Sequence, residues 1–181
     1  MTLPEKILAI HAALARADVP HAFGGALALA WCTEQARGTI DIDVNLFAAP
    51  GAARALLTAL PTEVEWSDAD VALIERDGQA RLWWGPTPVD VFTSTTPFHE
   101  QAATRVRWED LGGQPVPFLD CGDLAVFKAF FNRTRDWADL EDMATAGTLD
   151  IGAVAGVLVT YLGADDERLD RLRRLGGPGG T

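Results

Sequence analysis

Hydrophobic positions recur along this chain with two different periods, and the switches between them mark out its elements. Ile7, Ile10, Leu14 and Ala17 follow one another at helical spacing behind Thr2-Leu3-Pro4-Glu5, a capping-box sequence with proline in the first turn. They predict an amphipathic helix to about Asp18. His21-Ala22-Phe23 reads as a short strand running into Gly24-Gly25, and the small-residue stretch from Ala26 to Cys32 as a tightly packed helix. From Thr39 to Phe47 the period becomes two, with Ile40, Ile42, Val44 and Leu46 on one face and Asp41, Asp43 and Asn45 on the other. That pattern predicts a half-buried strand with an acidic face.

Further along, Pro50-Gly51 opens a helix through Leu60, Glu63 to Trp66 reads as a strand, and Ala69 to Arg76 as a helix ending at Asp77-Gly78, taken as a hairpin turn. Arg81 to Trp84 and Val89 to Phe92 are adjacent strands around Gly85-Pro86-Thr87-Pro88, and a shorter strand is expected at Arg105 to Trp108. After the turn at Leu111-Gly112-Gly113-Gln114-Pro115, the chain from Gly122 onward is helical, with Leu124, Phe127, Phe131, Leu140 and Met143 at helix spacing. The expected organisation is an α/β core over 1–118, a helical region over 119–175 packed on it, and a glycine-rich tail, 176–181, without packed structure. Trp31, Trp66, Trp83 and Trp108 are assigned to the core, which leaves Trp84 and Trp137 as candidates for stacking on a ligand.

Composition narrows the class. Nearly half the residues are apolar and about a quarter charged, the balance of a chain that folds on its own. Nothing approaches the roughly 20 apolar residues of a membrane span, and the N-terminal helix carries charges inside its apolar stripe, so a cytoplasmic protein without a membrane partner is expected. Cys32 and Cys121 lack CxxC spacing and a nearby histidine cluster. They read as small buried hydrophobes, with neither a disulfide nor a zinc site. A net charge of -11 argues against a broad basic surface for nucleic acid. The arginine groups Arg105/Arg107, Arg133/Arg135 and Arg168/Arg171/Arg173/Arg174 read as solvated faces. His11, His21 and His99 have no metal-ligand spacing and receive no role.

The candidate chemistry lies on the acidic strand. Asp41 and Asp43 are two apart, so their carboxylates share a side with Cα atoms ~6.6 Å apart. Such a pair on a purely structural strand would only repel, whereas a bound cation turns the repulsion into a site. Magnesium takes a few carboxylates together with waters and substrate phosphates, and Asp90, between Val89 and Val91 on a later strand, supplies a third acid. Gly24-Gly25, between a strand and a helix, is where backbone N–H groups and a helix N-terminus can approach phosphate.

In order and spacing, Phe23-Gly24-Gly25, Asp41-Ile42-Asp43 and Asp90 resemble the nucleotidyltransferase superfamily. Arg37-Gly38-Thr39-Ile40-Asp41-Ile42-Asp43 is similar in particular to the Arg-x-Thr-x-Asp-x-Asp stretch of its AbiEii/MenT-type toxins. The stretch from Asp123 to Lys128, followed by Arg133 to Leu140, resembles that family's helical lysine and its Arg-Lys-Asp-x-x-Asp-Leu motif, with Arg135 in place of lysine.

The resemblance implies an α/β, nucleotidyltransferase-like mixed sheet flanked by helices, with a C-terminal helical region. It implies divalent metal, Mg²⁺ or Mn²⁺, on Asp41, Asp43 and Asp90, and an NTP seated by Gly24, Gly25, Arg37 and Lys128. Asp90 is the expected base, and Asp136, or else Asp139, orients the triphosphate or the acceptor. The implied reaction moves a nucleoside monophosphate to the 3′ end of tRNA, as the toxin of a toxin–antitoxin pair with a cognate antitoxin. The alternatives are a protein or small-molecule acceptor of the aminoglycoside kind, or an inactive nucleotide-binding module.

Overall fold

The computed structural model describes residues 1–35 and 38–176. Arg37, expected at the phosphates, and residues 177–181 of the expected tail lie outside the described residues. The chain forms two compact units, one of residues 1–27 and 38–119, the other of the described residues of 28–37 and 120–181.

The first unit carries a six-stranded sheet in the order β3-β4-β2-β1-β6-β5. Its strands are β1 (His21–Phe23), β2 (Ile42–Leu46), β3 (Gln79–Trp84), β4 (Thr87–Thr93), β5 (Arg107–Leu111) and β6 (Gln114–Phe118). β2 runs parallel to β4 and β1 parallel to β6, and the remaining neighbours are antiparallel, so the sheet is mixed. Its helices are α1 (Leu3–Arg16), α3 (Ala53–Thr58), α4 (Asp68–Asp77) and α5 (Pro97–Ala103), while α2 (Gly25–Thr33) begins here and continues into the second unit.

The capping box forms at the start of α1, where the Thr2 N–H donates to Glu5 Oε2 at 2.7 Å. Lys6 is buried, and its Nζ donates to the Trp84 carbonyl at 2.9 Å and to Thr87 Oγ1 at 2.8 Å, tying α1 to the β3–β4 turn. His11 Nδ1 and His21 Nε2 lie 2.9 Å apart, joining α1 to β1, and burial pushes both imidazoles below their ordinary pKa.

Several expectations change here. Of the strand expected over 39–47 only Ile42–Leu46 forms; residues 38–41 are irregular, and Ile40, expected on the buried face, is exposed. Glu63 to Trp66 makes a single bridge, Glu65 to Trp83, instead of a strand. Gly78, in left-handed conformation, caps α4 and leads into β3, so Asp77-Gly78 is a helix end and not a hairpin turn. α5 and β6 were not expected at all. Pro115 and Pro117 disguise β6 in the sequence, yet they are two apart, so their missing N–H groups fall on one side, and β1 pairs with β6 only at Phe118.

The second unit is helical, with α6 (Cys121–Phe131) packed against α7 (Thr134–Thr145), α8 (Ile151–Leu162) and α9 (Glu167–Leu175). Asn132, left-handed at the C-terminus of α6, accepts the Trp137 indole N–H at 2.7 Å, and the Arg171 guanidinium lies 4.5 Å over that ring. Trp137 is thus fully buried and already stacked, and Trp84 is buried too, whereas Trp31, Trp83 and Trp108 are exposed. This inverts the expected assignment of core and stacking tryptophans at every position but Trp66, which is half-buried. Cys32 and Cys121 are buried as expected but joined in a disulfide, Cα to Cα 5.6 Å, which corrects the reading of two independent hydrophobes. Among the described residues no helix is long and apolar enough to cross a membrane.

Candidate active site

Three strands of the first unit place one acidic–basic row across the sheet. The β2–β4 register sets Asp43 opposite Asp90, and the β3–β4 register sets Asp90 opposite Arg81. Side chains at paired positions share a face, so the order across the sheet is Asp43, Asp90, Arg81. Asp41, one residue before β2, joins from the side: its Oδ2 lies 3.7 Å from Arg81 Nη2. The Arg81 guanidinium grips Asp90 in a fork, Nε to Oδ1 and Nη2 to Oδ2, both at 2.7 Å. These Asp90 hydrogen bonds hold the guanidinium proton more firmly than in a free arginine, the charges of Asp90, Asp41 and Asp43 adding to the effect against a partial loss of hydration.

Gly24 and Gly25 close the other end of the row. The Gly24 N–H donates to the Asp43 carbonyl at 2.9 Å, holding the turn to β2 beyond the last β1 residue. Gly25, the first residue of α2, sits at φ +56°, and a Cβ added there would lie 1.8 Å from Asp43 Oδ2. Two independent constraints therefore demand glycine at this position: the left-handed backbone and the carboxylate that occupies the space a side chain would fill. At Gly24 a Cβ would meet the Asn45 amide nitrogen at 3.0 Å and Leu119 at 3.2 Å, a tight fit against side chains. The expected pairing of a glycine turn with the Asp-x-Asp strand is thus a physical contact.

Among the described residues, no three His, Cys, Asp or Glu side chains are gathered closely enough to share a metal ion as the site stands. Both Asp90 oxygens are engaged by Arg81, and adjacent carboxylates without a cation between them repel. The donor chemistry suits a hard divalent ion all the same. Asp43 and Asp90 are carboxylates on one sheet face with Asp41 beside them, and a guanidinium already lies between Asp90 and Asp41 as a positive group.

Arg81 is the member of this constellation that the sequence reading missed. The signal was present: with Gly85-Pro86 as the turn, the two strands pair so that Arg81 falls opposite Asp90. Lys128 and Asp136 belong to the second unit, and each closes an ion pair inside it. Lys128 is buried, its Nζ 2.5 Å from Asp139 Oδ2. Asp136 is buried at the start of α7, accepting from Arg133 Nε at 2.7 Å and from the Arg133 backbone N–H at 3.2 Å. Asp136 and Asp139 thus have distinct partners, a helix-capping arginine and a helix-buried lysine.

No family model matches the sequence, and no curated protein matches it. Solved structures do. The solution structure of the antibiotic-resistance factor ANT(2″)-Ia is similar with a TM-score of 0.56 at 17% identity, over 96% of this chain and 88% of that one. The crystal structure of ANT(2″)-Ia in complex with adenylyl-2″-tobramycin gives a TM-score of 0.60 at 16% identity, over 88% of this chain and 97% of that one. An antigenic nucleotidyltransferase-like protein from Paracoccidioides brasiliensis gives 0.47 at 14% identity, over 93% of each chain. At such identities the likeness is one of fold: the mixed sheet and its helices form a nucleotidyltransferase-like fold.

Proposed function

We propose that this chain is a metal-dependent nucleotidyltransferase, moving a nucleoside monophosphate from an NTP to an acceptor hydroxyl with release of pyrophosphate. The observation that carries the reading is the seat of the Asp43 carboxylate against Gly25, in the row that Asp43 forms with Asp90. A glycine turn built around an acidic strand brings the N-terminus of α2 and metal-binding oxygens to one place.

Asp41, Asp43 and Asp90 would hold Mg²⁺ or Mn²⁺, which supplies a Lewis acid for the reacting phosphate and lowers the pKa of the acceptor hydroxyl. The protein's own groups do the positioning. Gly24 and Gly25 let the triphosphate approach the backbone, and Asp90, released from Arg81, takes the acceptor proton. The acceptor oxygen bonds to the α-phosphorus as the bond to the pyrophosphate oxygen breaks. Work of this kind is mostly orientation and electrostatics, so loss of one metal carboxylate should cost about 10²-fold or more in rate. A phosphate role for Lys128 requires its ion pair with Asp139 to open.

For the acceptor, the resemblance to AbiEii/MenT-type toxins favours the 3′ end of tRNA, with an antitoxin as protein partner. A second reading has its own support. A net charge of -11 disfavours a polyanion and favours a cationic, hydroxyl-rich small molecule, and ANT(2″)-Ia, whose fold is similar, is seen with an adenylylated tobramycin.

One experiment separates these readings. Purified protein is incubated with Mg²⁺ and each α-labelled NTP in turn, beside total tRNA, total protein or an aminoglycoside panel, with an Asp41→Ala/Asp43→Ala control. Label that reaches tRNA and vanishes in the control supports the toxin reading, and label on the aminoglycoside supports the second. Absence of both label and pyrophosphate release with every acceptor would reject nucleotidyl transfer; tight nucleotide binding in that case would leave the binding module.

A further inference from the structure

Arg81 stands where a nucleotidyl-transfer site needs positive charge, but it is attached to the wrong partners for catalysis. Its fork engages both oxygens of Asp90, the expected base, and its Nη2 reaches toward Asp41. The pairing is positioned by the hairpin, since the β3–β4 register fixes Arg81 opposite Asp90. Yet the arginine is not confined. Its side chain is 51% exposed while that of Asp90 is 18% exposed, so the guanidinium can swing into water without opening the core. A planar fork that binds a carboxylate in this way binds a phosphate equally well.

We propose that Arg81 is the resident counter-cation of the site and couples the binding of metal to that of nucleotide. It holds Asp90 and Asp41 until nucleotide arrives, then transfers its fork to the nucleotide's phosphates and gives the two carboxylates up to a divalent cation. This rests on the nucleotidyl-transfer reading above and adds a residue that neither the motif nor the family resemblance contains. A divalent ion binding alone must displace the guanidinium from its best partner. When nucleotide is present the guanidinium has a replacement partner of higher negative charge. Cation and nucleotide therefore bind with positive coupling, and the coupling is reciprocal.

The test is Mn²⁺ binding by the full-length chain, followed by electron paramagnetic resonance of the free ion, with and without an NTP analogue carrying a methylene bridge between the α- and β-phosphates. Wild type is compared with Arg81→Gln and with Arg81→Lys, which keeps the charge but not the fork. Thermal unfolding monitored in parallel confirms that each variant is folded. The expected result is that Arg81→Gln binds Mn²⁺ alone about tenfold more tightly than wild type while the enhancement by the analogue shrinks by a similar factor, with Arg81→Lys between the two. Mn²⁺ affinity without analogue that is unchanged or weaker in folded Arg81→Gln would overturn the proposal and leave the nucleotidyl-transfer reading standing. Absence of Mn²⁺ binding in all three proteins, with the analogue as well as without it, would overturn both.

Discussion

Gly25 shows how much a single residue can decide at this site. Its φ of +56° costs a residue with a side chain about 1–2 kcal/mol, and the added Cβ would fall inside the Asp43 carboxylate. Gly25→Ala must therefore either displace Asp43 or shift the start of α2. The expected outcome is a loss of about 1–3 kcal/mol in chemical denaturation, together with a drop of roughly 100-fold in the proposed nucleotidyl transfer, as a misplacement of about 1 Å produces. Gly24→Ala, whose Cβ presses on the Asn45 and Leu119 side chains and meets Asp43 only at ordinary contact distance, should be milder on both measures. A Gly25→Ala protein with wild-type stability and activity would show that the contact with Asp43 is incidental. At this scale the sequence was most legible for the proximity of Gly24, Gly25, Asp41, Asp43 and Asp90, because their spacing on a glycine turn and on neighbouring strands brings them together. Arg81 was less so, since an arginine on a strand is unremarkable until the register across a hairpin pairs it with Asp90. Trp83 and Trp84 were misread for a related reason: neighbours on β3 point to opposite faces, and residue type alone does not say which faces inward.

The elements were recovered wherever period and punctuation agreed, as in α1 with its capping box or the β3–β4 hairpin, whose expected turn Gly85-Pro86-Thr87-Pro88 is shortened to Gly85-Pro86 because Thr87 and Pro88 pair in β4. They were lost where local signals opposed tertiary pairing, as in β6, whose two prolines argue against a strand that β5 nevertheless pairs along its length. Lys128 and Asp139 put a functional question at this scale, because they join α6 to α7 as a buried pair with side chains 8% and 5% exposed. Breaking such a pair from one side is costly, since the remaining charge loses its partner away from water. Lys128→Met should then lower stability by about 3–5 kcal/mol in urea unfolding. Lys128→Met/Asp139→Leu should recover part of that loss, because an apolar pair of similar volume removes the uncompensated charge. If instead Lys128→Met keeps wild-type stability and loses nucleotide affinity, the lysine serves the phosphates, as the family resemblance implies, and its pairing with Asp139 is secondary.

For the molecule as a whole, composition gave a folded chain of acidic charge and the hydrophobic pattern its α/β class, but neither gave the covalent link between parts distant in sequence. Two cysteines without a motif carry no sequence signal for pairing. Their meeting depends on α2 ending near the start of α6, which is a property of the completed fold. The bond closes a sequence separation of 89 residues, and the chain-entropy account assigns such a loop about 4–5 kcal/mol of stabilisation. That is a large share of the 5–15 kcal/mol typical of a folded domain, so the stability of this chain should depend on redox conditions. Oxidising surroundings preserve the link, whereas the thiol pools of a reducing compartment leave two cysteines that still pack as small apolar groups. Thermal unfolding with and without dithiothreitol checks this directly. The reduced protein, and equally Cys32→Ser/Cys121→Ser, should unfold on the order of 10 °C lower than the oxidised wild type. Because both cysteines belong to the helical unit, the site row of Asp43, Asp90 and Arg81 in the sheet should be spared, and Mn²⁺ affinity measured well below the transition should not change. Coincident melting of oxidised and reduced protein would mean that packing around Cys32 and Cys121 is sufficient without the bond, and a loss of Mn²⁺ binding on reduction would make the disulfide part of the site's own support.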